Sequence, residues 1–362
     1  MWANWSFPTI NYRFRPKKNQ FFKSSYGAIK MKLATIVNKI LKGQDRPILQ
    51  NFLYKDSRLS ISDFEMMLTL TYPKIEISTD REFLVDAKQL AKIIDNKGFL
   101  TGNCLNELEL NSGKSKFKLP VYNHVSEFPE SPELKGERIE LESNFMESLK
   151  KASHCANPLK DRHSLNSIKL DFQNGFAVST DQIRLSAQNI QKIKGFERNN
   201  IIIPLKAFKV LESLPGPDCI QFEDSCVSFL HNDYILTTRL VETNYPNYIS
   251  AIESYNSREF EIELKREELI EGLKDLSLMT CENAKNLKLE NSILSISSPK
   301  GDASYKIGET FHDALGINSC FLSDYLKTIS KDENFVIGFE SLKKPITIKD
   351  KNGILFLSPC MV

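Results

Sequence analysis

The sequence predicts an α+β fold built from three tandem copies of one domain, each with two helices packed on antiparallel sheet. Three observations carry this. A strand running straight into a helix recurs at Val85-Asp86-Ala87-Lys88-Gln89-Leu90-Ala91-Lys92, Ile203-Pro204-Leu205-Lys206-Ala207-Phe208-Lys209-Val210 and Ile317-Asn318-Ser319-Cys320-Phe321-Leu322. Its spacings are 203 − 85 = 118 and 317 − 203 = 114. A second helical pattern precedes each junction, and similar unit ends, Glu127-Phe128-Pro129 and Asn244-Tyr245-Pro246, lie 244 − 127 = 117 residues apart. A fixed period of this kind marks a duplicated unit.

Each element has a local reason. Proline at position 204 suits a first helical turn, where its missing N–H costs nothing. Asn318 is a good N-cap because its side chain can accept an orphan backbone N–H. The earlier helices are expected at Ser24 to Lys42, Ser143 to Cys155 and Lys265 to Met279. Apolar residues three or four apart, as in Ile29, Leu33, Ile36, Ile40 and in Leu269, Leu273, Leu276, place one face of each on a core. Between the helices lie alternating runs such as Ser167-Ile168-Lys169-Leu170-Asp171-Phe172, where Asn174-Gly175 marks a hairpin before Phe176-Ala177-Val178. Further strands are expected at Lys116–Leu119, Asp233–Thr238 and Gly353–Leu357. The polar stretches after the unit ends set boundaries near 135 and 255. The domains are then 20–135, 136–254 and 255–362, after an extension, 1–19, expected to be disordered.

Composition narrows the function. A chain of 362 residues is too long for one core of ordinary size. Its 41% hydrophobic and 26% charged residues are those of a soluble globular protein. No apolar run approaches the roughly 20 residues that cross a bilayer. A net charge of +2 excludes holding nucleic acid by bulk charge. The seven cysteines are scattered, with no pair at CxxC spacing, so reduced thiols in a cytoplasmic protein are expected. The first 44 residues lack Asp and Glu, and residues 1–19 carry Trp2, Trp5, Arg13, Arg15, Lys17 and Lys18. There is no continuous apolar stretch for a signal peptide. An acid-poor basic leader fits an organellar transit peptide; a disordered tail or a start placed too early fits as well.

Catalytic signals are absent. The five histidines show no metal spacing, and His154 and Cys155 are adjacent, pointing about 100° apart on a helix. No glycine loop for phosphate appears. No cofactor and no metal are expected. An enzyme on a repeated α+β scaffold, a nuclease or transferase, stands as the alternative class.

Several motifs resemble the beta subunit of bacterial DNA polymerase III, the sliding-clamp family, from about Phe21 to Val362. They are Arg46-Pro47-Ile48-Leu49-Gln50-Asn51-Phe52-Leu53, Leu59-Ser60-Ile61-Ser62-Asp63-Phe64-Glu65-Met66 and Ser179-Thr180-Asp181-Gln182-Ile183-Arg184-Leu185. Later come Arg239-Leu240-Val241-Glu242-Thr243-Asn244-Tyr245-Pro246-Asn247-Tyr248 and the final Leu357-Ser358-Pro359-Cys360-Met361-Val362. The resemblance implies a head-to-tail homodimer of three-domain subunits, a ring around duplex DNA with helices lining the hole and sheet outside. It implies a non-catalytic processivity factor that tethers polymerase and meets clamp-loader subunits through short linear peptides. A divergent paralogue of the clamp would share these features.

The resemblance also implies three sets of residues. DNA-facing cations would be Lys30, Lys32, Lys39, Lys42, Lys88, Lys92, Lys150, Lys151, Lys206, Lys209 and Lys327, touching phosphates without reading sequence. A partner-peptide cleft between the second and third domains would use Leu165, Thr180, Gln182, Ile183, Arg184, Leu185, Pro246, Phe356, Ser358, Pro359, Cys360 and Met361. Leu165, Leu185, Pro246 and Phe356 would wall it and Arg184 would supply a fixing charge. The chain departs from the family where Gln182-Ile183 stands for Gly-His and Cys360-Met361-Val362 for Met-Arg-Leu, which leaves the preferred peptide open. The dimer interface would join Phe117 and Leu119 to Leu278 and Met279 of a second copy.

Overall fold

The structure, a computed structural model, describes residues 32–71, 74–159, 162–198, 200–253, 260–281, 285–307, 315–329, 331, 333–339 and 344–358. Its helices are α1 (Leu33–Ile40), α2 (Ala87–Lys97), α3 (Phe145–Ser153), α4 (Leu205–Leu211), α5 (Ile249–Glu253), α6 (Arg266–Ser277) and α7 (Ser319–Leu326). The three strand-to-helix junctions are all formed. Strands Phe83–Asp86, Ile201–Pro204 and Leu315–Asn318 lead directly into α2, α4 and α7. In each, three buried residues are followed by a half-buried one, so the same packing occurs three times.

Capping explains where the helices begin. Asp86 accepts from the Gln89 N–H at 2.7 Å, and Asn318 accepts from Cys320 and Phe321. Helix α1 has no cap of its own; the Asp95 carboxylate of α2 takes the Leu33 and Ala34 N–H groups, each at 2.8 Å. A carboxylate there both satisfies orphan donors and complements the helix dipole. This cross-helix cap is why α1 begins at Leu33, later than the apolar spacing predicts; residues 24–31 lie outside the described residues.

Twelve strands form one sheet, eight a second and four a third. The twelve-stranded sheet is continuous between the first and second copies because Met66–Leu70 pairs antiparallel with Tyr234–Arg239. The eight-stranded sheet likewise joins the second copy to the third through Arg184–Asn189 on Gly353–Leu357. Among the described ladders only Ile75–Ser78 on Leu100–Cys104 is parallel. The four-stranded sheet, Gly301–Lys306, Ile293–Ser298, Asn286–Glu290 and Leu315–Asn318, packs with α6 and α7 on a core that includes Leu269, Leu276, Leu322 and Phe335. In the second copy Phe172 meets the rings of Phe145, Phe196 and Phe222 at 6.5, 5.5 and 6.0 Å. The Asn174-Gly175 hairpin has a four-residue loop between Asp171 and Phe176, with Gly175 at φ 81°. The Asp171 carboxylate accepts from the backbone and side chain of Asn174, each at 2.9 Å.

Candidate functional site

Two turns stand where the copies meet, and they share one design. In the first, Ser62 Oγ accepts from the Phe64 N–H at 3.1 Å and donates to the Met66 carbonyl at 2.9 Å. In the second, Thr180 Oγ1 accepts from the Gln182 N–H at 3.1 Å and donates to the Arg184 carbonyl at 2.7 Å. Asp63 Oδ1 takes the N–H groups of Glu65 and Met66, as Asp181 Oδ1 takes those of Ile183 and Arg184. Both turns place a non-glycine residue in the left-handed region, Phe64 at φ 72° and Gln182 at φ 77°. A strand of the next copy closes each: Arg239 N–H donates to the Glu65 carbonyl at 2.8 Å, and Ser358 N–H to the Ile183 carbonyl at 2.9 Å. The Ser/Thr-Asp pair recurs at 181 − 63 = 118, the spacing already seen in the junction motif.

Around the second turn, several cleft residues come together. Leu185 pairs with Phe356 across the ladder, and Arg184 with Leu357. Leu185 also packs on Val178, Ala187 and Tyr248, beside Tyr245, whose hydroxyl donates to the Val178 carbonyl at 3.0 Å. Pro246 is half-buried next to these tyrosines, while Thr180, Leu165 and Phe356 are buried. Gln182, Ile183 and Ser358 are exposed, and Ile183 at 51% is the exposed apolar group of the turn. Pro359, Cys360 and Met361 lie outside the described residues.

Arg184 differs from its expected role. Its Nε donates to Asp181 Oδ2 at 3.0 Å, and its guanidinium sits 4.3 Å above the Phe321 ring of α7. The side chain is only 15% exposed. Its charge is therefore spent holding the turn to the third copy, with little face left for a ligand.

The lysine set divides. Lys32, Lys42, Lys88, Lys92, Lys150, Lys209 and Lys327 are exposed. Lys30 lies outside the described residues. Lys39 and Lys206 are half-buried and tie the first copy to the second: Lys39 Nζ donates to the Lys209 carbonyl and Ser213 Oγ, and Lys206 Nζ meets Asp63 Oδ2 at 2.5 Å. Lys209 pairs with Glu212 and Lys327 with Asp324, both on the surface. Lys151 corrects the sequence expectation. It is fully buried, with Nζ on Asp350 Oδ2 at 3.1 Å, so it cannot face DNA. One hundred degrees per residue separates it from Lys150 on α3, turning one outward and the other into the junction.

A polar network surrounds that pair. Tyr325 donates to Asp350 Oδ2 at 3.1 Å, Gln188 donates to the Tyr325 hydroxyl and Ser186 Oγ, and Asp350 Oδ1 takes the Asn352 and Gly353 N–H groups. Burial pushes the Tyr325 hydroxyl far above its usual range, and the Asp350 charge adds to that. Neighbouring Cys155 is pushed up to about 12, again by burial, so it stays a thiol. This marks structural rather than nucleophilic chemistry. Neither Gln188, Tyr325 nor Asp350 carries a sequence signal beyond alternation within its strand or helix.

At the far ends of the chain, Phe117 is half-buried under the Lys97 ammonium and Leu119 is buried. Leu278 is 73% exposed and Met279 half-buried. No group of three or more His, Cys, Asp or Glu able to hold a metal occurs among the described residues. Nor is any helix there long and apolar enough to cross a membrane.

Comparison with known proteins gives one answer. Residues 140–247 match the family described as DNA polymerase III beta subunit, central domain. The beta sliding clamp of Chlamydia muridarum is 27% identical over 267 residues, covering 68% of this chain and 71% of that one. That of Buchnera aphidicola is 24% identical over 369 residues, covering 89% and 94%. Among solved structures, the DNA polymerase III beta subunit of Thermotoga maritima superposes with a TM-score of 0.77 at 21% identity over 92% of this chain and 97% of that one. The Helicobacter pylori beta clamp, bound to a DNA ligase peptide, does so with a TM-score of 0.74 at 21% identity over 91% and 98%. A threefold strand-to-helix unit, sheets continuous across both junctions and these likenesses lead to one conclusion: residues 140–247 carry the central domain of the DNA polymerase III beta subunit, and most of the chain is similar to beta sliding clamps.

Proposed function

We propose that this protein is a DNA sliding clamp: two copies close into a ring around duplex DNA and tether polymerase and other DNA-processing proteins to it. The observation that carries the reading is the continuity of the sheets, Met66–Leu70 on Tyr234–Arg239 and Arg184–Asn189 on Gly353–Leu357. Backbone ladders across both junctions join the three copies into one continuous unit, as a closed ring needs. The copies are taken as 20–135, 136–254 and 255–362. It works by topology and recruitment, without catalysis or cofactor, in the cytoplasm.

Ring closure is assigned to two strand edges. Along Ser115–Tyr122, only Val121 and Tyr122 pair on the side away from Glu107–Ser112, so Ser115–Pro120 offer an open edge among the described residues. Gly301–Lys306 ends the four-stranded sheet, with Met279 Sδ beside Gly301 and Leu278 projecting nearby. Unpaired edges template pairing with another chain. Phe117 of one copy then faces Leu278 and Met279 of the other, head to tail, while Leu119, expected at this interface, is buried in its own domain and backs Phe117 from behind the edge.

The exposed Lys32, Lys42, Lys88, Lys92, Lys150, Lys209 and Lys327 supply weak, salt-sensitive phosphate contacts that let the ring slide. The Helicobacter pylori clamp carries a DNA ligase peptide. Here the corresponding peptides of polymerase and clamp-loader subunits are assigned to the cleft around Ile183, Leu185, Pro246, Phe356 and Ser358. Light scattering should give the mass of a dimer. The protein should stay on nicked circular DNA and leave once that DNA is linearised; a strict monomer, or equal retention on both forms, rejects the ring.

A further inference from the structure

The junction between the first and second copies carries a cleft of its own. It has an accessible volume of about 670 Å³, within the range of roughly 300–1,000 Å³ typical of ligand sites. Met67 forms its floor, beside Ser131 and Thr237, with Pro129 and Phe64 as its apolar margin, and Glu65 and Glu130 stand exposed on its rim. Arg239 marks one end, and Glu133 is engaged by Lys135.

Its geometry follows from the repeated turn. Phe64 occupies the place of Gln182, Glu65 that of Ile183, Met66 that of Arg184 and Arg239 that of Ser358, as the matching hydrogen bonds require. The side chains invert the chemistry. Where the other cleft presents a neutral isoleucine, this one presents a carboxylate; where the other spends an arginine on its turn, this one has an adaptable methionine. Phe64 is 40% exposed although its backbone is held at φ 72°, and the Arg46 guanidinium lies 4.8 Å above its ring. An aromatic ring held up at a groove margin suits stacking on an incoming side chain.

We propose that this cleft is a second docking site, selective for an extended partner peptide that carries a cationic residue beside an apolar anchor. The anchor lies on Met67 against Phe64, and the cation meets Glu65 and Glu130. The charge of the rim identifies the occupant: Glu133 is taken by Lys135, which leaves Glu65 and Glu130 against the single Arg239 among the ionic groups that line it. The inference rests on the tethering reading only in taking partners to be recruited through peptides. The two clefts of one subunit then hold peptides of different charge at the same time.

The test uses the full-length protein and a fluorescein-labelled peptide, Gly-Arg-Lys-Leu-Phe-Lys-Gly, read by anisotropy. Two control peptides replace its cations with glutamate or its Leu-Phe with Gly-Ser. The first peptide should bind, and both controls should bind at least about tenfold more weakly. The double variant Glu65→Lys/Glu130→Lys should lose about tenfold, as expected for an exposed charge contact reversed rather than removed. Both sites are exposed, so folding is not at stake, and urea midpoints check it. Phe64→Gly, which keeps the left-handed turn, should lose several-fold. Ile183→Glu, in the other cleft, should leave this peptide's affinity unchanged. Binding that survives the double charge reversal, that matches the peptide without its anchor, or that falls with Ile183→Glu overturns the proposal. Retention on circular DNA is read separately, so loss of this site and failure of the ring are distinguishable.

Discussion

The two junctions of the chain use one backbone design and hold it with different chemistry. At the first, the cation on the Asp63 turn is Lys206, 36% exposed and reached from the surface of α4. At the second, the turn binds its own Arg184, and a separate ion pair, Lys151 with Asp350, is sealed inside with no exposure on either side chain. In the first only the lysine reaches water, since the Asp63 side chain is 2% exposed; in the second neither partner does. A charge buried in protein is stabilised only while its partner and hydrogen bonds remain. The junction of the second and third copies is thus specified by a network that includes Tyr325 and Gln188, and that of the first and second by helix contacts and an ion pair at the surface.

Breaking each junction in turn tests this contrast. The largest effect is expected for Lys151→Met, which strands the Asp350 carboxylate. It should cost about 3–5 kcal/mol in urea unfolding, and adding Asp350→Asn should recover part of the loss. Amide exchange should rise first along the ladder of Arg184–Asn189 with Gly353–Leu357, leaving Met66–Leu70 with Tyr234–Arg239 protected. If both ladders open together, the junctions are not independent. Lys206→Met should cost less, about 1–3 kcal/mol, because the lysine lost is half-exposed and the buried Asp63 carboxylate keeps its two backbone donors.

Asp171 offers a pH-dependent variant of the same test within the second copy. Burial alone would raise its carboxyl, but the hydroxyl of Tyr248 and the donors of Asn174 hold it below the usual range. A depressed carboxylate stabilises above its unfolded pKa and loses that contribution as pH falls through the folded one. Asp171→Asn should therefore cost about 1–2 kcal/mol near neutral pH, and the difference should shrink only below about pH 4. A constant difference down to pH 2 would mean that the hydrogen bonds do not depend on its charge. The smallest effects belong to the left-handed residues. Gln182→Gly should stabilise by up to about 1 kcal/mol. Phe64→Gly should gain less, since it also loses the Arg46 contact worth about 0.5–1 kcal/mol. Thermal midpoints of the pair would rank them.

Much of the fold was legible in the sequence. Asp86, Pro204 and Asn318 each sit at a helix start, and the period of their junctions survives in the structure because capping and apolar spacing act over a few residues. The start of α1 was not legible, since the carboxylate that caps it comes from Asp95, 62 residues on. The candidate site was legible as a motif and illegible as a surface. Thr180-Asp181 stood out only as part of a resembling motif, and nothing near Arg184 in sequence foretold that Asp181 and Phe321 would absorb its charge.

By itself, then, the sequence determined the three strand-to-helix junctions, their period and the Asn174-Gly175 hairpin, because hydrogen-bonding propensity and hydrophobic period are local. Only the tertiary structure decided which lysines face solvent and which are bolts. Lys150 and Lys151 are neighbours of one type, and burial depends on the strand hairpin of Asp350 packing over one side of α3, almost two hundred residues away in the chain. The same long-range packing made two clefts from one turn and gave them opposite characters.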